Sequence, residues 1–197
     1  MSALPPIVQT GHPVLRNAAR PVPPEMLGSA ELASLVRTMI EVMRNAPGVG
    51  LAAPQIGVPL RVVVMEDAEE LMQRLSDDER AERGRTPLPL TVLVNPEMRP
   101  VGDAQATFFE GCLSVGGYMA LVERRLEVEV KGLDEKGKPV AFTARGWPAR
   151  IVQHELDHLD GTLYVDRMIT RSFCENGEMK ARWLGRSVDE VRAALKA

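Results

Sequence analysis

Cysteine and histidine are scarce in this chain. Cysteine occurs only as Cys112 and Cys174, and histidine only as His12, His154 and His158. Two cysteines exclude a disulfide-built scaffold, and a reducing compartment would keep both as thiols. Excess charge is also missing. A net charge of −3 provides no strong electrostatic pull toward nucleic acid or anionic membrane. No apolar run approaches the ~20 residues needed to cross a bilayer. The opening residues, Met1 to Pro6, lack the charged-then-apolar order of a signal peptide, and they are not Arg-rich like a transit peptide. The expectation is a cytoplasmic protein with no membrane partner and no nucleic-acid motif. What is present, 45% hydrophobic and 26% charged residues over 197 positions, suits one globular domain with a real core.

Periodicity places the elements. Leu32, Leu35, Val36, Met39, Ile40 and Met43 recur at helical spacing, and Ser29 can cap them, so residues 29–45 are predicted as an amphipathic helix. Residues 62–65, 90–94 and 106–109 are predicted strands. Residues 126–130 alternate at period two and lead through Asp134 to Gly137 into a hairpin with residues 139–143. Residues 66–87 turn highly charged and are expected as a solvated, partly helical surface insertion. A helix is predicted from Trp147 to His158, with Gly161 as its terminator. Ser187 to Glu190 has capping-box spacing and should start a short helix reaching Ala197. With no repeat and no domain boundary, residues 1–197 are read as one domain whose tail, 173–197, is variable. The expected class is α+β, with mostly antiparallel sheets wrapped around the helix that carries His154.

That helix reads His154-Glu155-Leu156-Asp157-His158. Residues four apart share a helix face, so both imidazoles can reach one metal ion, and the intervening glutamate can act as general base on water there. The plain alternative, a pair of solvent-facing histidines, is weakened because Trp147, Ile151, Val152, Leu156 and Leu159 mark the helix as buried, and buried polar groups need partners. Catalytic metals usually take three protein ligands, whereas closed structural sites take four, and a fourth cannot be named here. In many proteases with this helix the third ligand lies downstream. No histidine follows His158, which leaves Glu175, Glu178 and Glu190, or else Cys112 upstream. Cys112 alone would read as a small buried hydrophobe, as Cys174 does, but Gly111 before it permits a bend at a strand end. A third segment, Gly48 to Gln55, is narrow enough for a substrate backbone to approach, and Gln55 is a neutral donor able to polarise a carbonyl. It is not a phosphate loop, because no Gly-Lys-Ser/Thr follows.

Taken together and in this order, Gly48 to Gln55, Glu110 to Ser114 and Gln153 to His158 resemble the three motifs of the peptide deformylase family. Weaker similarity runs from Gly11–Arg16 through Asn95-Pro96 to Tyr164–Asp166. The stretch Val115 to Met119, and Gly146 to Arg150, look more like the mitochondrial and plant branch. The resemblance implies that Cys112, His154 and His158 hold one divalent metal. Iron(II) would be the native ion, with zinc, nickel or cobalt compatible in isolated protein. It implies Glu155 as general base, with Gln55 and the Leu113 backbone N–H holding the oxyanion. It also implies that the formyl-methionyl peptide pairs near Val49, Gly50 and Gly111, with Phe108, Trp147 and Ile151 lining the pocket for its first side chain. Formate and a free N-terminus would be the products. Contact with the ribosome and a homodimer are further expectations from the same source. Asp157 reads as an anchor behind the histidines or as a salt-bridge partner.

Overall fold

A computed structural model describes residues 4–73 and 75–196. Met1 to Ala3, part of the opening read above for targeting signals, and Ala197, the expected end of the last helix, lie outside the described residues. In chain order the elements are α1 (Ala30–Asn45), β1 (Gly50–Ala52), β2 (Val62–Asp67), α2 (Glu69–Met72), α3 (Asp77–Arg83), β3 (Leu88–Pro100), β4 (Gln105–Cys112), β5 (Val115–Arg125), β6 (Glu127–Leu133), β7 (Pro139–Arg145), α4 (Gly146–Leu159), β8 (Cys174–Glu175), α5 (Asn176–Arg182) and α6 (Val188–Leu195). Five strands form an antiparallel sheet in the order β1-β2-β3-β6-β7, and β4-β5-β8 form a second antiparallel sheet. The protein is α+β, with α4 packed between them.

Strand β2 shows why α4 is central. Successive side chains of a strand point to opposite faces. Val63 and Met65 join Leu93, Val128 and Val130 beneath Ile151, Val152, Leu156 and Leu159 of α4. Val62 and Val64 face the other way, into α1, where Leu32, Val36, Met39 and Met43 complete a separate core. Both faces of β2 are therefore covered, which is why its sequence is an unbroken apolar run. Ser29 caps α1 by accepting from the Leu32 N–H, and Ser187 caps α6 with Glu190 returning the bond. Gly161 adopts φ +73° after α4, the left-handed conformation expected of a terminator. No helix of the described residues is long and apolar enough to cross a membrane.

Several expectations need correction. Residues 48–55 are more than a narrow turn, because Gly50–Ala52 pairs with Met65 to Val63 as an edge strand. Strand β5, eleven residues long, was not foreseen, nor were β8 and α5. Residues 66–87 contain the two short helices α2 and α3 but are less solvated than their charge suggests. Asp67 and Met72 are fully buried, and Asp67 accepts a forked pair of hydrogen bonds from Arg85 at 2.9 Å each. A Cβ on Gly146 would lie 2.4 Å from the Gly84 carbonyl oxygen, so the segment docks directly on the start of α4.

Candidate metal centre and its cavity

Helix α4 puts His154 and His158 one turn apart, and the hairpin between β4 and β5 brings in Cys112. The register slips between Gly111 and Cys112, and Cys112 then pairs with Val115 across the turn at Leu113 and Ser114. That break in the ladder turns the sulfur toward α4. One donor atom from each of Cys112, His154 and His158 lies within 4.8 Å of the others, and the Cys112 Sγ to His158 Nε2 separation is 3.3 Å. Metal bonds of roughly 2.0–2.3 Å to nitrogen and sulfur place two ligands of one ion roughly 3–4 Å apart, so this donor set fits a divalent metal. The possibility of a downstream acid ligand is not realised. Among the described residues the cluster takes its third donor from Cys112, not from Glu175, Glu178 or Glu190.

Behind His154 stands Glu110, a residue the sequence reading passed over. The His154 Nδ1–H donates to Glu110 Oε2 at 3.1 Å. A carboxylate can only accept there, so this bond fixes the tautomer and leaves the Nε2 lone pair for the cluster. Glu110 also accepts from Arg124 Nε and Nη2, each at 2.9 Å, and from Arg150 Nη1 at 2.6 Å. Arg124 reaches on to Asp157 at 2.5 Å, and Arg167 forks onto the same carboxylate at 2.7 and 2.8 Å. Asp157 is therefore a salt-bridge partner, of Arg124 and Arg167 rather than of Arg150. Burial alone would raise the Glu110 carboxyl, yet the hydrogen bonds from His154 and Arg124 hold it well below the usual carboxylate range.

Burial drives His158 well below its ordinary value, so it stands neutral as a ligand should. His154 is pulled the other way. Burial lowers it, but its contacts with Cys112 and Glu110 raise it further. Beside them, burial pushes the Glu155 carboxyl up to about 7, with His154 and Arg124 opposing and Glu110 and Asp157 adding to the rise. Its Oε2 is buried without a partner among the described residues. Gly50 makes room for this carboxylate, since a Cβ there would sit 2.2 Å from Glu155 Oε1.

Gln55, 2% exposed, is held at both ends of its amide. Oε1 accepts from the Ala52 N–H at 2.8 Å, and Nε2 donates to Ser114 Oγ at 3.2 Å, lying 3.7 Å from Cys112 Sγ. A cavity of about 490 Å³ opens over the cluster. Val49, Gly50, Gln55, Gly111, Cys112, Leu113, Trp147, Ile151, His154 and Glu155 all line it. Phe108 does not line it. Strand alternation puts Phe109 in the wall, while Phe108 packs edge-on against Trp147 with ring centroids 6.1 Å apart. Arg83 and Arg85 also line the cavity, and neither was singled out from the sequence.

This geometry defines the class: an α+β protein with a cysteine–histidine–histidine donor cluster that could hold a metal ion, a buried carboxylate beside it and a cleft above. The chain belongs to the polypeptide deformylase family, whose model matches residues 4–173. It is 53% identical over 171 residues to peptide deformylase 1A, chloroplastic, of Solanum lycopersicum, covering 87% of this chain and 62% of that protein. It is 49% identical over 190 residues to peptide deformylase 3 of Streptomyces avermitilis, covering 96% and 83% respectively. The chain thus spans less than two thirds of the plant relative's length. Among solved structures, the Met-Ala-Ser-bound class I type b peptide deformylase of Acinetobacter baumannii superposes with a TM-score of 0.75 at 35% identity, covering 85% of this chain and all (100%) of that one.

Proposed function

We propose that this chain removes the formyl group from the N-terminal formyl-methionine of nascent polypeptides and releases formate. The observation that carries the reading is the convergence of Cys112, His154 and His158 on one point, with the buried Glu155 beside them at the floor of a peptide-sized cleft. Those three side chains would hold the divalent ion. Their soft sulfur and imidazole donors suit iron(II), which we favour by family resemblance, as well as zinc, nickel or cobalt. When bound, the ion supplies Lewis acidity to the carbonyl and to water.

The chain's own residues do the rest. Glu155 takes a proton from the attacking water and later delivers it to the departing amine as the C–N bond breaks. The Gln55 amide, its donor end fixed toward Cys112, and the Leu113 N–H stabilise the negative charge developing on the formyl oxygen. β1 and β4 are the outermost strands of their sheets. A peptide can therefore lie between them as an added strand, pairing near Val49, Gly50 and Gly111. Its methionine side chain then enters the pocket bounded by Trp147 and Ile151. The Met-Ala-Ser peptide named with the Acinetobacter enzyme is consistent with such an occupant. The substrate is made by ribosomes, so the enzyme works in the translating compartment, the cytoplasm of a bacterium. Lys180, Arg182, Arg186, Arg192 and Lys196 of the tail, partly balanced by acids, are the candidates for ribosome contact. A homodimer rests on resemblance alone.

The test is deformylation of a formyl-Met peptide with metal analysis of the same sample. Glu155→Gln is expected to keep its metal and lose activity by roughly 10²–10⁴-fold. Near-normal turnover in that variant would remove the general-base role.

A further inference from the structure

Three guanidinium groups surround the indole of Trp147. The Arg83, Arg85 and Arg150 carbons lie 5.4, 5.5 and 5.7 Å from its ring centroid. Two of these cations are neutralised, Arg85 by Asp67 and Arg150 by Glu110. Arg83 forms no ion pair among the described residues. Glu79 and Glu82 lie near it on the same segment, but Glu79 is occupied in capping Ser76. Arg83 is half-buried, faces the cavity, and comes from the charged segment rather than from any of the three motifs. The cavity wall beside Trp147 thus carries a positive charge with no carboxylate in direct contact among the described residues, offset only by the longer-range attraction of Glu79 and Glu82. Burial pushes the Arg83 guanidinium down from its ordinary value, so its charge is partly stripped of water and gains from an anionic partner.

The anion cannot belong to the first residue of the substrate, which is methionine. In an extended peptide, residues one and three point to the same face. If the methionine side chain enters the pocket beside Trp147, the third side chain returns to that side, toward Arg83. Resting on the deformylase reading above, we infer that Arg83 is a specificity-determining residue that favours nascent peptides with a carboxylate side chain at their third position.

The test compares formyl-Met-Ala-Glu, formyl-Met-Glu-Ala and formyl-Met-Ala-Ala on the metal-loaded enzyme and on its Arg83→Met and Arg83→Lys variants. Each result is read as a ratio of kcat/KM values, so that any general loss cancels. The wild-type enzyme is expected to prefer Glu over Ala at the third position by on the order of fivefold, equivalent to about 1 kcal/mol. Arg83→Met should bring the ratio to unity, Arg83→Lys should keep part of it, and 0.5 M salt should shrink it. A wild-type ratio near one, a ratio that survives Arg83→Met, or a preference at the second position instead would each overturn the inference. Calorimetric binding of the unformylated tripeptides runs in parallel. Absence of turnover on every peptide would defeat the deformylase reading, while the binding ratios would still decide the role of Arg83.

Discussion

Two strongly charged regions border the cleft and meet opposite fates. Behind His154, Glu110, Arg124, Arg150 and Asp157 are each no more than 7% exposed, and each carries at least one opposite charge at hydrogen-bond distance. Across the cleft, residues 66–87 hold a comparable density of acids and bases. Among the described charged residues there, Glu69, Glu70, Asp77, Asp78 and Glu82 are exposed, and Asp67 alone is fully buried, paired with Arg85. The first region is a closed ion-pair network that fixes His154, and the second is an outer wall held by one buried pair. The contrast shows that what a charge does here depends on whether its partner can reach it in the fold, which composition does not record.

The comparison can be broken most forcefully from the inner side. Arg124→Met would strand Asp157 and Glu110 with one fewer cation apiece. Removing one partner of a buried ion pair typically costs about 3–5 kcal/mol, so the midpoint of urea unfolding should fall steeply. An unfolding midpoint within error of the wild type would mean that the network is not as closed as its geometry indicates. Glu110→Gln tests the same network more gently. The His154 ring loses its charged acceptor, and metal affinity measured by chelator competition should drop roughly 10–100-fold, with less effect on stability. At the small end, Asp78→Asn on the exposed face of α3 should shift stability by less than about 0.5 kcal/mol. A larger loss would show that the outer segment is held by more than its Asp67–Arg85 anchor and its docking on Gly146.

Legibility in the sequence followed the same divide. The two histidines could be paired in advance because their four-residue spacing is a property of the helix itself, whereas Cys112 stood beside Glu175, Glu178 and Glu190 as an alternative until the resemblance of its motif singled it out. Helices α1, α4 and α6 were readable from apolar period and caps. Strand β5 was not. Its Gly116 and Gly117 dilute the apolar pattern, and its inward-facing Arg124 breaks the rule that charges mark the wet face. Glu110 escaped for a related reason, since its three partners lie 14, 40 and 44 residues away along the chain. No local window contains them. Phe108 and Phe109 illustrate the period-two ambiguity: adjacent identical residues on a strand cannot be assigned to a face until the register is known. Arg83 and Arg85 were hidden inside a run whose charge suggested solvent.

Gly50 carries a lasting constraint. A single methyl group at that position would occupy the volume that the Glu155 carboxylate fills. Any side chain there must displace Glu155, so the smallest residue type sets where the buried carboxylate can stand.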